Sequence, residues 1–133
     1  MTQKDKDLLL KDLCARLPYG VKCKYYDCCE SDYDEGTICG FERKEYIQID
    51  GVCIHIEEVK PYLIPLSSMT EELKNFIRWK LTTPKYDSFD EELLEDLLNN
   101  NMQVVHFCYE YHLDINGLIE KGLANDATGL NIY

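Results

Sequence analysis

No apolar run in this 133-residue chain approaches the roughly 20 residues that a membrane-crossing helix needs. The opening stretch "MTQKDKDLLLKD" holds three consecutive leucines among charges. It lacks the longer apolar segment and small-residue cleavage site of a secretory signal. These shortages predict a cytoplasmic protein of a bacterial cell with no membrane partner. Basic residues are also scarce, with 14 Lys and Arg against 25 Asp and Glu and a formal net charge of −11. Proteins that grip nucleic acid gain most of their affinity by neutralising phosphates with Lys and Arg. Direct nucleic-acid binding is therefore not expected. Neither phosphate cradle, G-x-x-x-x-G-K-[ST] or G-x-G-x-x-G, occurs, and neither does G-x-S-x-G or H-E-x-x-H. The sequence thus predicts no cofactor, and favours a non-enzyme over an enzyme.

What is present suits an ordinary globular domain. Hydrophobic residues make up 45% of the chain and charged residues 29%. The length fits a single domain with a real core. Residues 1–125 are expected to form it, with 126–133 a loose tail. The seven cysteines are an odd number without an export signal, so they should be free thiols. Cys23, Cys28, Cys29, Cys39 and Cys53, with His55, are the best candidates for zinc. Structural zinc usually takes two short-spaced ligand pairs, and no second well-formed pair exists here, so no metal is expected. Cys108 and His112 share a helical spacing that a thiolate nucleophile and its base could use, but Phe107, Tyr109 and Tyr111 around them point to core packing.

The patterning reads as follows. "TQKDKDLLLKDLCARLP" is a helix capped by Thr2, with Leu9, Leu10, Leu13 and Leu17 as its apolar stripe, stopped by Pro18. "GVKCKYY" alternates as a strand with one wet face. "DCCESDYDEG" reads as an acidic connection and "TICGF" as a second strand. In "YIQIDGVCIH" the Asp50-Gly51 pair is a preferred two-residue hairpin turn. That turn sets Ile49 opposite Val52, Gln48 opposite Cys53, Ile47 opposite Ile54 and Tyr46 opposite His55. One face is then aliphatic core: Ile47, Ile49, Val52 and Ile54. The other is semi-polar: Tyr46, Gln48, Cys53 and His55. Pro61 and Pro65 keep the next stretch extended. Helices follow at "SSMTEELKNFIRWKL", "SFDEELLEDLL" and "MQVVHFCYEYHLD", the first capped by Ser68 with Glu71. A helical turn is expected at "INGLIEKG".

The stretches "KPYLIPLSSMTEEL" and "LDINGLIEKGLA", with "LLLKDLCARLPYGVK" and "IDGVCIHIEEVKPYL", resemble a family of small uncharacterised proteins from gut Bacteroidales and their phages or mobile elements. In similar proteins an aromatic and an arginine often stand where this chain has Ile115 and Asn116. The resemblance implies a phage or mobile-element setting and no particular activity.

The fold class expected is α+β. An N-terminal helix leads into a small antiparallel sheet or partly closed barrel over about 20–60, and a C-terminal group of about three helices follows. The charge is uneven: residues 27–72 carry twelve acids against three Lys and Arg. This favours a small acidic accessory protein that binds another protein, a basic partner being the kind its charge suits. Loop acids Glu30, Asp32, Asp34 and Glu35 are the first candidate contacts, and Tyr46 and His55 the second. The alternatives are an acidic decoy of DNA directed at host defence, and a small-ligand or minor hydrolytic site on the Tyr46/His55 face.

Overall fold

Thr2 begins the first helix, α1 (Gln3–Arg16), by a reciprocal cap. Its hydroxyl accepts the Asp5 N–H at 3.1 Å, and the Asp5 carboxylate accepts the Thr2 N–H at 3.0 Å. The exchange holds the Asp5 carboxyl below its ordinary range, chiefly through the hydrogen bonds at Thr2. The molecule is seen here in a computed structural model that describes residues 1–81, 95, 98–99 and 102–133, without the side chains of 77–81. Leu17–Tyr19 form a single 3-10 turn around Pro18, and Gly20 leaves it with φ +68°.

Among the described residues six strands follow: β1 (Lys22–Asp27), β2 (Asp32–Arg43), β3 (Tyr46–Ile49), β4 (Val52–His55), β5 (Val59–Leu63) and β6 (Asn125–Asp126). They form one mixed sheet of order β4-β3-β2-β1-β5-β6. All neighbours are antiparallel except β5 and β6, which are parallel. The sheet is open, so of the two forms expected, a small antiparallel sheet or a partly closed barrel, the sheet is the one that forms, mixed rather than purely antiparallel because β6 runs parallel to β5.

The β3–β4 hairpin has the expected register, from Tyr46 opposite His55 to Ile49 opposite Val52. Asp50 and Gly51 both take positive φ, +47° and +89°, as a primed turn requires. Asp50 also reaches across to β2, where its carboxylate accepts the Thr37 N–H at 3.0 Å. A side chain at Gly36 would collide with Asp50 Oδ2 and Ile49, each 2.6 Å from the position a Cβ would take. Ile47, Ile49 and Ile54 are buried. Val52 is not: at the turn end of the edge strand it is 37% exposed, against expectation.

The inner face of the sheet packs on α1. Leu9 and Leu13 meet Cys23, Tyr25, Ile38, Ile47, Ile49, Ile54, Val59 and Leu63 in one continuous core. Burial of the Cys23 thiol pushes it up to about 12, so it acts as a small hydrophobe. A second cluster joins Met69 to Val104, Phe107, Cys108 and Leu113. It sits between α2 (Glu71–Leu81) and α3 (Met102–Glu110), where Phe76 stacks on Phe107.

The described residues do not show the expected group of about three C-terminal helices. The helix foreseen from Ser68 starts later, at Glu71, and is capped by Thr70, whose hydroxyl accepts the Leu73 N–H. Ser68 lies in a 3-10 turn instead. The helix foreseen over 88–98 falls outside the described residues, apart from Glu95 and Leu98, which are helical. The turn foreseen over 115–122 is not a helix. Asp114 accepts the Leu118 and Ile119 N–H groups at 2.8 and 2.9 Å and holds a chain of turns.

Two polar ties bind the ends of the chain. Asp12 and Arg16 lie on the buried side of α1 with no exposed surface. Arg16 Nε donates to Asp12 Oδ2 at 2.6 Å, and Nη2 donates to Asp12 Oδ1 at 3.1 Å and to the Leu113 carbonyl at 2.6 Å. Asn116 Nδ2 adds a bond to Asp12 Oδ1 at 2.7 Å, and Tyr109 offers its ring face to the guanidinium.

The second tie is the last residue. The Tyr133 hydroxyl donates to the Tyr62 carbonyl at 2.8 Å and accepts the Lys22 N–H at 3.0 Å. Its ring stacks on His112 with centroids 3.6 Å apart. Near the other end of the segment 126–133 the Ala127 N–H donates to the Leu63 carbonyl.

Removing one partner of a buried ion pair leaves the other charge uncompensated, at about 3–5 kcal/mol. Asp12→Ala should lose that much in denaturant unfolding. A loss below about 1 kcal/mol would show that Arg16 finds another partner. His112 is also buried, and burial, aided by Arg16, pulls its pKa from 6.5 down to about 4. The unfolded chain then binds the proton more readily than the folded one. Stability should hold above about pH 6.5 and fall progressively as the pH drops toward about 4. His112→Gln should flatten that slope between pH 6.5 and 5, and an unchanged slope there would rule His112 out as its source.

Candidate functional site

The face of the sheet opposite α1 carries the candidate residues. Alternation along β1 and β2 puts Lys22, Lys24 and Tyr26 beside Thr37, Glu35 and Tyr33 in register. Lys60 of β5 lies opposite Lys24 on the other side. Tyr33 is 64% exposed, and is braced by an edge contact with Tyr26 and by Lys24 over its ring. A cleft of about 300 Å³ opens beside it, lined by Lys24, Tyr33, Glu57, Glu58, Lys60 and Asn125. A second cleft of about 270 Å³ lies along Lys22, Glu35, Thr37, Tyr62 and Ile132.

The acids stand differently from the expectation. Glu30 is in the tight turn between β1 and β2, and is exposed. Asp32, Asp34 and Glu35 are strand residues of β2, not loop residues. The stretch pairs with β1 because tyrosines dominate the cross-strand contacts and outweigh the low strand preference of aspartate. Glu35 is also engaged, since its carboxylate accepts the Tyr62 hydroxyl at 2.7 Å. Burial and that bond push the Tyr62 phenol up to about 12. Asp27 and Asp32 stand directly opposite one another across the hairpin, a like-charge pairing that destabilises a ladder unless something compensates it.

Tyr46 and His55 do come together, as a T-shaped pair with centroids 5.2 Å apart. Their surroundings decide what His55 can do. Its Nδ1 accepts the Glu57 N–H at 3.2 Å, so that nitrogen carries the lone pair. The proton is then on Nε2, which donates to Glu45 at 3.2 Å. Glu45 and Glu57 both pair with Lys6 of α1. Hydrogen bonds from His55 to Glu45 and from Lys6 to Glu57 hold these two carboxyls below their ordinary range. Both nitrogens of His55 are thus committed to holding the 3-10 turn Ile56–Glu58 and α1, and no free base remains. Neither cleft described above includes Tyr46 or His55. The Cys108/His112 pair is equally unsuited to catalysis. Cys108 is fully buried, which pushes its thiol up to about 11.

The sequence reading missed the Tyr33 platform. Its signal was the alternation of Tyr25, Tyr26 and Tyr33 about the acidic turn, which marks a hairpin rather than a connection. Among the described residues no helix is long and apolar enough to cross a membrane. No protein-family model, curated protein or solved structure matches the chain.

The His55 tautomer is directly testable. Nitrogen chemical shifts should show Nδ1 unprotonated and Nε2 protonated at neutral pH, with Glu45→Gln perturbing Nε2 alone. A protonated Nδ1 would contradict the arrangement and free His55 for other roles.

Proposed function

We propose that this is a non-catalytic binding protein whose recognition surface is the β1–β2 end of the open sheet face, and whose partner is a protein bearing a basic patch. The observation that carries the reading is the exposed Tyr33, fixed between Tyr26 and Lys24 on the outer face of a strand whose neighbouring Asp32 and Asp34, also exposed, project from its other side. Tyrosine is enriched in interface centres because it offers a large, stiff contact area with few rotamers to freeze. Surrounding acids speed encounter with a basic partner, and salt screens them within about 8 Å at physiological ionic strength. A phage or mobile-element setting belongs to the proposal through the resemblance of "KPYLIPLSSMTEEL" and its companion stretches.

A photoreactive residue at position 33 or 30 should capture the same protein in the native host. One at Lys4, exposed on α1, should not. The captured protein should then associate more slowly with Glu30→Gln/Asp32→Asn/Asp34→Asn than with the unaltered chain, and the difference should shrink at high salt. Glu35 is left intact because its bond to Tyr62 supports the fold. Equal capture from position 4, or association rates that ignore both salt and the three substitutions, would sink the proposal. Capture of a DNA-binding protein that duplex DNA displaces would point to the decoy reading instead.

A further inference from the structure

We propose that Asp27, Cys28 and Cys29 form a three-ligand site for a thiophilic divalent cation, of which zinc and cadmium are the representative members. Their donor atoms, two thiol sulfurs and a carboxylate oxygen, all lie within 4.8 Å of one another at the end of β1. Zinc–sulfur bonds of about 2.3 Å at tetrahedral angles need sulfurs roughly 3.8 Å apart, so small side-chain rotations close the site.

Adjacent cysteines do not satisfy the usual zinc spacing, because neighbouring side chains in an extended strand point apart. Here the chain leaves the strand after Asp27 and turns through 28–31, with Ser31 at φ +52°. The turn brings both sulfurs to one side. Asp27 Oδ1 accepts the Cys29 N–H at 2.9 Å, which fixes the carboxylate against the turn and leaves Oδ2 to face a cation.

One further observation favours a cation at this place. Asp27 faces Asp32 across the hairpin, and Glu30 stands next in the turn, so the site sits in a strongly negative field. A bound divalent ion is what would offset the Asp27–Asp32 opposition. The cation binds the thiolates and displaces their protons, so binding should tighten as the pH rises. Three protein donors leave a coordination position open, as in zinc sites that keep an exchangeable ligand. Both sulfurs are exposed, so the ion enters without opening the fold.

The other exposed thiols, Cys14, Cys39 and Cys53, are replaced by serine in the test, leaving only buried Cys23 and Cys108 beside the pair. The full chain, kept reduced by a phosphine, is titrated with cadmium and followed by the thiolate-to-metal charge-transfer absorbance. The expected result is a band saturating at one cadmium per chain, stronger binding at pH 8 than at pH 6, and competition by zinc. Cys28→Ser/Cys29→Ser should abolish the band, and Asp27→Asn should weaken binding while the fold, read by circular dichroism, is unchanged. A band that survives loss of Cys28 and Cys29, or the absence of any saturable band, would overturn the site. Because this site is read by metal alone, it can fail while the protein-binding proposal stands, and the reverse.

Discussion

One buried ion pair holds the two halves of this fold together. Asp12 and Arg16 are one helical turn apart on α1, in the middle of its apolar stripe, and neither reaches water. Such a pair repays its desolvation only through good geometry and further hydrogen bonds. Arg16 uses the Leu113 carbonyl and the Tyr109 ring, though its Nη1 stays buried without a hydrogen-bond partner, while Asp12 uses Asn116. Those partners lie 97 and 104 residues away in sequence, so the pair can be satisfied only once the C-terminal segment has docked. Leu113 in turn bridges to Ile64 at the end of β5, which ties the same point to the sheet. The helix, the sheet edge and the last third of the described chain are therefore positioned by one set of bonds that are costly to break singly.

This dependence explains what could be read from the sequence. The Asp50-Gly51 hairpin was legible to the residue because its information is local. A primed turn fixes register, and register fixes which side chains share a face. The one misplaced residue, Val52, is the one for which alternation alone is insufficient. Its side chain lies on the aliphatic face but at the edge strand, past the reach of α1. The ion pair was also visible in principle, since Asp12 and Arg16 fall on the same stripe as Leu9 and Leu13. A charge pair at i and i+4 within an apolar stripe signals a distant polar partner, but nothing local says which. The role of Tyr133 was illegible for the same reason. Its hydrogen bonds come from Lys22 and Tyr62, 111 and 71 residues away, and its ring partner is His112.

The candidate surface was half legible. Composition located the acids, but not the form they take. An aspartate-rich stretch reads as a loop by propensity, and it becomes strand here because Tyr26 and Lys24 of β1 grip Tyr33 from one side and Tyr62 grips Glu35 from the other. Strand residues are held more rigidly than loop residues, so a surface built from them meets a partner already shaped and gives up little conformational freedom on binding. Tyr46 and His55 were correctly placed beside each other. Only the hydrogen bonds to Glu45 and Glu57 reveal that His55 is a structural clasp.

The distribution of charge then acquires a physical logic. On the side of the fold that faces α1, opposite charges are matched: Asp12 with Arg16, and Lys6 with Glu45 and Glu57. On the outer face Lys24 stands in register between Glu35 and Lys60, and at the free end of the β1–β2 hairpin Asp27 faces Asp32 on the other side of the sheet, so like charges are opposed at both places. Each such opposition subtracts from the stability of the ladder by a few tenths of a kcal/mol. The matched set on the inner side and the tethers at the C-terminus supply stability that does not depend on the outer face. That separation lets the β1–β2 hairpin keep like charges opposed on both of its faces, and charge held on rigid strands is what a charged partner or a cation can recognise.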